Sequence, residues 1–242
     1  MQKQTKTAQT SNQLEKRASI SSFFAGAILT VLCIIITFYC AFTNVELFQR
    51  SLIDTVNHAS LGIDEQVVKD FATETIQYLS GEKVAWEPSI IMSGMEASKF
   101  IPLSFYDHMA TVKWWLVISK VVCGVLSILL IVCIIRAFFI GKTPKFHSIG
   151  YYLGVGLPVI LVVGIGLFAW LDFDLFWKLL HEWLIPDGIF SATELVMQLF
   201  PVEVFQAYLP VVGFWLLGLI MAVIFLPSLL IPIATTFRKL RK

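Results

Sequence analysis

Few side chains in this sequence can move a proton at neutral pH. It has four histidines, His58, His108, His147 and His181. An imidazole with an ordinary pKa near 6.5 can both take and give a proton at that pH. His58 stands in a polar stretch and His147 in a short basic connection, where a solvated histidine is ordinary. His108 and His181 have different settings. The first lies in FYDHMATVKWW, where a polar segment runs into a long apolar one; the second lies in the aromatic run DFDLFWKLLHEWLIP. Two imidazoles meeting in an apolar, aromatic layer would form an acid/base pair. Read from the residues alone, histidines that only bind water or headgroups at an interface are the competing reading.

Other chemistries lack their signatures. Outside the apolar runs there is no H-x-x-x-H, H-E-x-x-H or cysteine pair for a metal. No G-x-S-x-G elbow, phosphate-cradling glycine loop or basic aromatic patch occurs. The expectation is no metal, no cofactor and no nucleic acid. Cys33, Cys40, Cys123 and Cys133 all fall within apolar runs and read as packing residues.

The elements that must carry the histidines follow from composition. Mean hydropathy is +0.78, with 57% hydrophobic and 14% charged residues, far from a soluble domain. Ile20 to Thr43, Trp114 to Ile140, Ile149 to Leu171 and Leu209 to Phe237 are each long enough to cross a hydrocarbon core of about 30 Å, which takes roughly 20 helical residues. The first run is too long for a removable signal and has no small-x-small site after it, so it is expected to stay as an anchor. No small residue precedes its cysteines as in a lipidated precursor.

Charge sets the orientation. Lys3, Lys6, Lys16 and Arg17, then Lys142 and Lys145, then Arg238, Lys239, Arg241 and Lys242 mark cytoplasmic segments by the positive-inside rule. Residues 44–112 hold ten acids and four bases, and residues 172–208 hold six acids and one base, so both segments are expected outside. The resulting division is a cytoplasmic tail 1–19, first span 20–43, extracellular cap 44–112, second span 113–140, cytoplasmic loop 141–148, third span 149–171, interfacial cap segment 172–208, fourth span 209–237 and tail 238–242. The fold class is an all-α membrane protein with four transmembrane helices and a small extracellular cap of amphipathic helices and loops.

Within the cap, Val68, Phe71, Ala72, Thr75, Ile76 and Leu79 recur at helical spacing, with Asp64 to start the helix and Gly81 to end it. From Glu82 to Phe105 the period fails and Pro88, Gly94 and Pro102 interrupt, which predicts loop with room for a short strand. Asp174 to Leu184 reads as a helix, Pro186-Asp187-Gly188 as a turn, and Ser191 with Glu194 as the capping box of a second short helix ending before Pro201. This aromatic segment suits a helix-turn-helix lying on the bilayer. In the spans, Gly150, Gly154, Gly156, Gly164, Gly166, Gly213 and Gly218 would allow close helix approach, and Pro158, Pro227 and Pro232 would bend their helices. Lys120, two turns into the second span, must either snorkel upward or face a polar cavity.

At these residues a family resemblance appears. FIPLSFYDHMATVKWW resembles the segment before the second span of bacterial lipoprotein intramolecular transacylases (Lit), where a histidine followed by Met or Phe and then an Asp-Val-Lys pattern is typical. His108, Met109, Val112 and Lys113 match it. DFDLFWKLLHEWLIP is similar to the family's acidic-aromatic stretch and puts His181 on its other histidine; MQLFPVEVFQ resembles its Leu-Pro-x-x-Phe-Phe ending. Thr111 stands where the family usually has an acid, and Leu180 where an aromatic usually precedes the histidine.

The resemblance implies transfer of the sn-2 acyl chain of a diacylglyceryl-cysteine lipoprotein onto that cysteine's own amine, within one molecule and without cofactor. It implies His108 and His181 as the catalytic pair, with their acid and base roles open. It also implies Trp114, Trp115, Trp177 and Trp183 as walls around the acyl and glyceryl groups, and Lys113 and Lys120 as substrate contacts. Partners would be diacylated bacterial lipoproteins as substrates, and membrane lipids. The rival reading of the same residues is a non-enzymatic polytopic protein that binds a partner through its acidic cap. A solute transporter fits less well, because the spans carry almost no ionisable residues to line a path.

Overall fold

An apolar run in a bilayer can satisfy its backbone only through an internal hydrogen-bond ladder, and each of the four runs lies in a long helix. The structure, a computed structural model of the 242-residue chain, describes residues 2–92, 94–139, 148–185, 190 and 194–239. The elements in order are α1 (Gln2–Phe42), α2 (Val45–Thr55), α3 (Glu65–Ser80), β1 (Ile91–Met92), β2 (Met95–Glu96), α4 (Ala97–Phe100), α5 (Leu103–Phe139), α6 (Ser148–Leu171), α7 (Phe173–Leu184), α8 (Leu195–Leu199), α9 (Val202–Gln206) and α10 (Tyr208–Lys239). Helices α1, α5, α6 and α10 carry the four segments long and apolar enough to cross a membrane. At 37 residues, α5 is about 55 Å long, well beyond a hydrocarbon layer of about 30 Å.

The chain forms two compact units. One comprises Met1–Ile36, Val122–Gly164 and Trp215–Lys242. Here α1 and α6 come together at glycines. A Cβ on Gly26 would strike the Tyr151 carbonyl, one on Gly154 the Phe23 carbonyl, and one on Gly150 would lie 2.6 Å from the Ser19 carbonyl oxygen. Of the glycines expected to pack, Gly150 and Gly154 do so, while Gly156, Gly164, Gly166, Gly213 and Gly218 face open space. Gly26, between Ala25 and Ala27, belongs to the same contact. The Tyr151 hydroxyl donates to the Val223 carbonyl at 2.8 Å, tying α6 to α10. Pro158 lies inside a continuous α6.

The other unit, Thr37–Val121 and Ile165–Phe214, holds the short elements. In α3 the expected stripe is the buried face: Val68, Phe71, Ala72, Thr75, Ile76 and Leu79 are all buried. Gly81 ends that helix with a left-handed φ of +95°, the conformation for which its missing Cβ suits it. Asp64 occupies the N-cap position, but its side chain makes no capping bond. The α2 helix, not foreseen, begins where the Asn44 side chain accepts the Leu47 N–H at 2.8 Å, and its Phe48 and Leu52 are buried.

The segment expected as loop between Glu82 and Phe105 is more ordered than its sequence suggests. β1 and β2 pair antiparallel in the register Ile91↔Glu96 and Met92↔Met95, and α4 follows. Pro102, read as an interruption, stands in the break between α4 and α5, where its missing N–H breaks no helical ladder. His108 therefore lies in the second turn of the same helix that continues into the apolar run. Helix α7 starts on Asp172, whose side chain accepts the Leu175 N–H at 3.0 Å. Glu194 stands at the N-cap of α8 without a side-chain capping bond, and α9 adds a short helix beyond Pro201. Lys142, Lys145, His147, the Pro186-Asp187-Gly188 turn, Ser191, Arg241 and Lys242 lie outside the described residues.

Candidate active site

His108 projects from α5 and His181 from the last turn of α7, and their rings stack. Their centroids are 5.6 Å apart with planes 10° from parallel, close enough for both imidazoles to reach one small group. His181 is 7% exposed. Its Nδ1 lies 2.9 Å from the Trp177 carbonyl one turn earlier. A carbonyl only accepts, so this nitrogen carries the proton, and in the neutral ring Nε2 holds the lone pair. The Nδ1 of His108 is buried without a hydrogen-bond partner. A buried, unpaired ring nitrogen is costly unless something docks against it.

The walls are aromatic. Phe105, one turn before His108, lies 5.6 Å from its ring and 4.9 Å from Phe190, and Phe190 meets His108 edge-on at 5.5 Å. Behind them Phe105, Trp86 and Phe200 form a mutual contact, with Phe71 of α3 against both Trp86 and Phe200. The Trp86 indole donates to Thr75 Oγ1 at 3.2 Å, which explains a threonine in the apolar stripe of α3. Trp86 was not singled out from the sequence; a lone tryptophan in a polar, proline-flanked stretch is the signal that could have found it.

The other residues expected at the site separate by position. Trp177 lies 4.5 Å from His181 and is stacked on Phe205 at 4.5 Å and Phe173 at 5.7 Å. Trp115 donates its indole N–H to the Leu184 carbonyl at 3.0 Å, fastening the end of α7 to α5. Trp114 packs edge-on against Trp115 and is 57% exposed, while Trp183 is 81% exposed; both face outward. Lys113 donates to the carbonyls of Lys83 at 2.8 Å and Val84 at 3.3 Å, with its ammonium over the Tyr78 ring. Lys120 donates to the Ser80 carbonyl at 2.9 Å and sits over Tyr39. The Lys120 question thus has a third answer: the C-terminal carbonyl of α3 comes to the ammonium, as helix dipoles favour.

Electrostatics favour neutral rings. His108 precedes the apolar part of α5, and burial, with the neighbouring His181 adding to it, pushes its pKa down to about 4. Burial also lowers that of His181, opposed by the bond to the Trp177 carbonyl. Two stacked imidazolium ions would repel strongly in such surroundings, so the pair holds at most one extra proton. Among the described residues no carboxylate contacts either ring: Glu182 is paired with Lys178 at 3.8 Å and Asp107 is exposed. Among the described residues, no three of His, Cys, Asp and Glu gather as a metal site would require.

Four helices long and apolar enough to cross a membrane, with a stacked histidine pair in an aromatic wall, define the class as a multi-pass membrane protein. The family model of the lipoprotein intramolecular transacylase Lit matches residues 19–205. The chain belongs to the lipoprotein intramolecular transacylase family, and it is a membrane acyltransferase. Two solved structures of the membrane integral lipoprotein intramolecular transacylase Lit from Bacillus cereus share its fold. One is 16% identical with a TM-score of 0.65, covering 95% of this chain and 99% of that one. The other, with a histidine-to-arginine mutation, is 15% identical with a TM-score of 0.62, covering 99% of each chain. No curated protein matches. Family membership sets aside the non-enzymatic reading.

Proposed function

We propose that this chain moves the sn-2 acyl group of a diacylglyceryl-cysteine lipoprotein onto the cysteine's own amine, with His108 and His181 as acid/base catalysts. The carrying observation is the stacked pair, 5.6 Å between centroids, with one buried nitrogen left unpartnered. Donor ester and acceptor amine lie in one molecule, so catalysis consists of positioning, proton transfer and oxyanion stabilisation. The amine nitrogen attacks the acyl carbon and loses a proton to an imidazole. The tetrahedral centre then collapses, the ester C–O bond breaks, and the departing glyceryl oxygen takes the proton back. The protein ends as it began. Phe105, Phe190 and Trp177 around the pair keep water, the competing nucleophile, away from the ester.

The proposal extends to topology: both tails cytoplasmic, and the two acidic segments forming an extracellular cap. There the substrate, held in the bilayer by its acyl chains, presents its ester and amine at the cap boundary. Trp115, Lys113 and Lys120 act by fixing the elements around the pair. The test is expression in a host that makes only diacylated lipoproteins. Fragmentation mass spectrometry of the N-terminal lipopeptide should find N-acyl, monoacylglyceryl product of unchanged mass. Only unrearranged lipopeptide, with the protein present in the membrane, would contradict the proposal.

A further inference from the structure

A histidine that takes a proton during catalysis is usually oriented, and its charge balanced, by a carboxylate. Among the described residues no such carboxylate contacts this pair, yet one residue meets His181 in two ways. The Trp177 carbonyl accepts its Nδ1–H at 2.9 Å, and the Trp177 indole lies 4.5 Å from the imidazole. The indole is itself held in place: it stacks on Phe205 with planes 24° apart and on Phe173 with planes 20° apart. His108 has no equivalent support, since its Nδ1 is buried without a partner and its neighbours are Phe105, Phe190 and the other imidazole.

We propose that Trp177 is the positioning residue that makes His181 the proton carrier of the pair. The carbonyl fixes the tautomer, so that Nε2 faces the reaction with its lone pair. Once that lone pair takes the amine proton, the carbonyl and the electron-rich indole both stabilise the imidazolium. His108 stays neutral and offers hydrogen bonds to the reacting group. The proton moves from the amine to His181 Nε2 as the N–C bond forms, and from Nε2 to the glyceryl oxygen as the C–O bond breaks. Among the described residues of α5, α7 and α9, the other charged groups leave this role to Trp177. On α7, Lys178 and Glu182 pair with each other; on α9, Glu203 is exposed; on α5, Asp107 is exposed and His108 is the only titratable neighbour in ring contact.

This inference rests on the acid/base reading above, and its test separates the two. The full chain, with isotopically labelled histidine and held in a lipid nanodisc, is titrated by NMR as wild type and as Trp177→Leu, Trp177→Tyr and His108→Gln. The His108→Gln background removes coupling between the rings. Neutral His181 should report a proton on Nδ1, and His181 should titrate above His108. Trp177→Leu should raise the neutral-to-charged ratio of His181 at fixed pH by about 2- to 30-fold, the range of a cation–π contact, and Trp177→Tyr should recover part of it. Should Trp177→Leu fail to accumulate, Trp177→Tyr and Trp177→Phe carry the comparison, each giving a smaller change of the same sign. A His181 titration unmoved across the series, or His108 titrating above it, overturns the inference. That result would leave the acid/base reading intact, which falls only if His181→Ala still converts lipoprotein.

Discussion

At the scale of single residues, the account rests on two imidazoles kept neutral by their surroundings. Replacing either His108 or His181 with Ala should lower conversion by about 10²- to 10⁴-fold, the usual worth of general acid/base help, with the protein still in the membrane. His58→Ala and His147→Ala should leave conversion largely intact in the same mass-spectrometric assay. The pH profile carries a second prediction. Both histidines have pKa values pushed below the ordinary 6.5, His108 to about 4, chiefly by burial. The substrate's α-amino group, ordinarily near 7.7 to 8.0, should therefore set the acidic limb alone, and log rate should fall with a slope of about one through pH 6.5. A slope that steepens to two just below 6.5 would mean that an imidazole titrates normally and would count against the buried pair. The sequence disclosed the two histidines because so few other residues could do this chemistry. It did not disclose the Trp177 carbonyl bond, since a backbone acceptor leaves no mark in residue types, nor Trp86, whose partners Thr75, Phe105 and Phe200 come from three separated segments.

At the scale of elements, legibility followed burial. The α3 stripe was readable because one face of an amphipathic helix is buried and the other wet, so burial imposes its period on the sequence. For the segment read as loop with room for a short strand, the positions of β1 and β2 and the helix α4 were not readable, because strands of two residues and a helix of four are too short to show a period. Pro102 did mark a break, between α4 and α5; how soon the next helix begins was hidden, because a proline ends one element and precedes another with equal ease. In the helix-packing unit, glycine position matters more than glycine count. Gly154→Leu should strain α6 against the Phe23 carbonyl of α1, a cost of order 1–3 kcal/mol, and lower the thermal midpoint in detergent, whereas Gly156→Leu, facing open space, should not. Equal midpoints would remove the α1–α6 contact from the account. Lys113 and Lys120 offer a second check. Replacing both with Met should release the carbonyls of Ser80, Lys83 and Val84, read as faster hydrogen exchange at the end of α3 and in the segment leading to Trp86.

At the scale of the whole molecule, a four-span protein with most of its polar chain in two acidic segments must put those segments on one side. Basic residues concentrate in the tails and the short connection, so a cysteine introduced at Glu87 should react with an impermeant reagent added outside intact cells. Labelling only after lysis would reverse the topology and remove the substrate from the site. Composition made the four spans legible, and placing both histidines at the same end of the spans predicted that they meet; the sequence could not give their stacking at 5.6 Å, because it depends on how α5 and α7 pack, with the histidines 73 positions apart. The central claim is that this meeting catalyses an acyl shift within one lipoprotein. It is tested most directly with purified protein and a synthetic diacylglyceryl-cysteine peptide whose sn-2 chain alone carries an isotopic label. Fragmentation should find the label moving from ester to N-terminal amide with wild-type protein, at a rate reduced by about 10²-fold or more in His108→Ala and in His181→Ala. A label that stays in the ester with wild-type protein, or moves equally fast in either variant, would contradict the account.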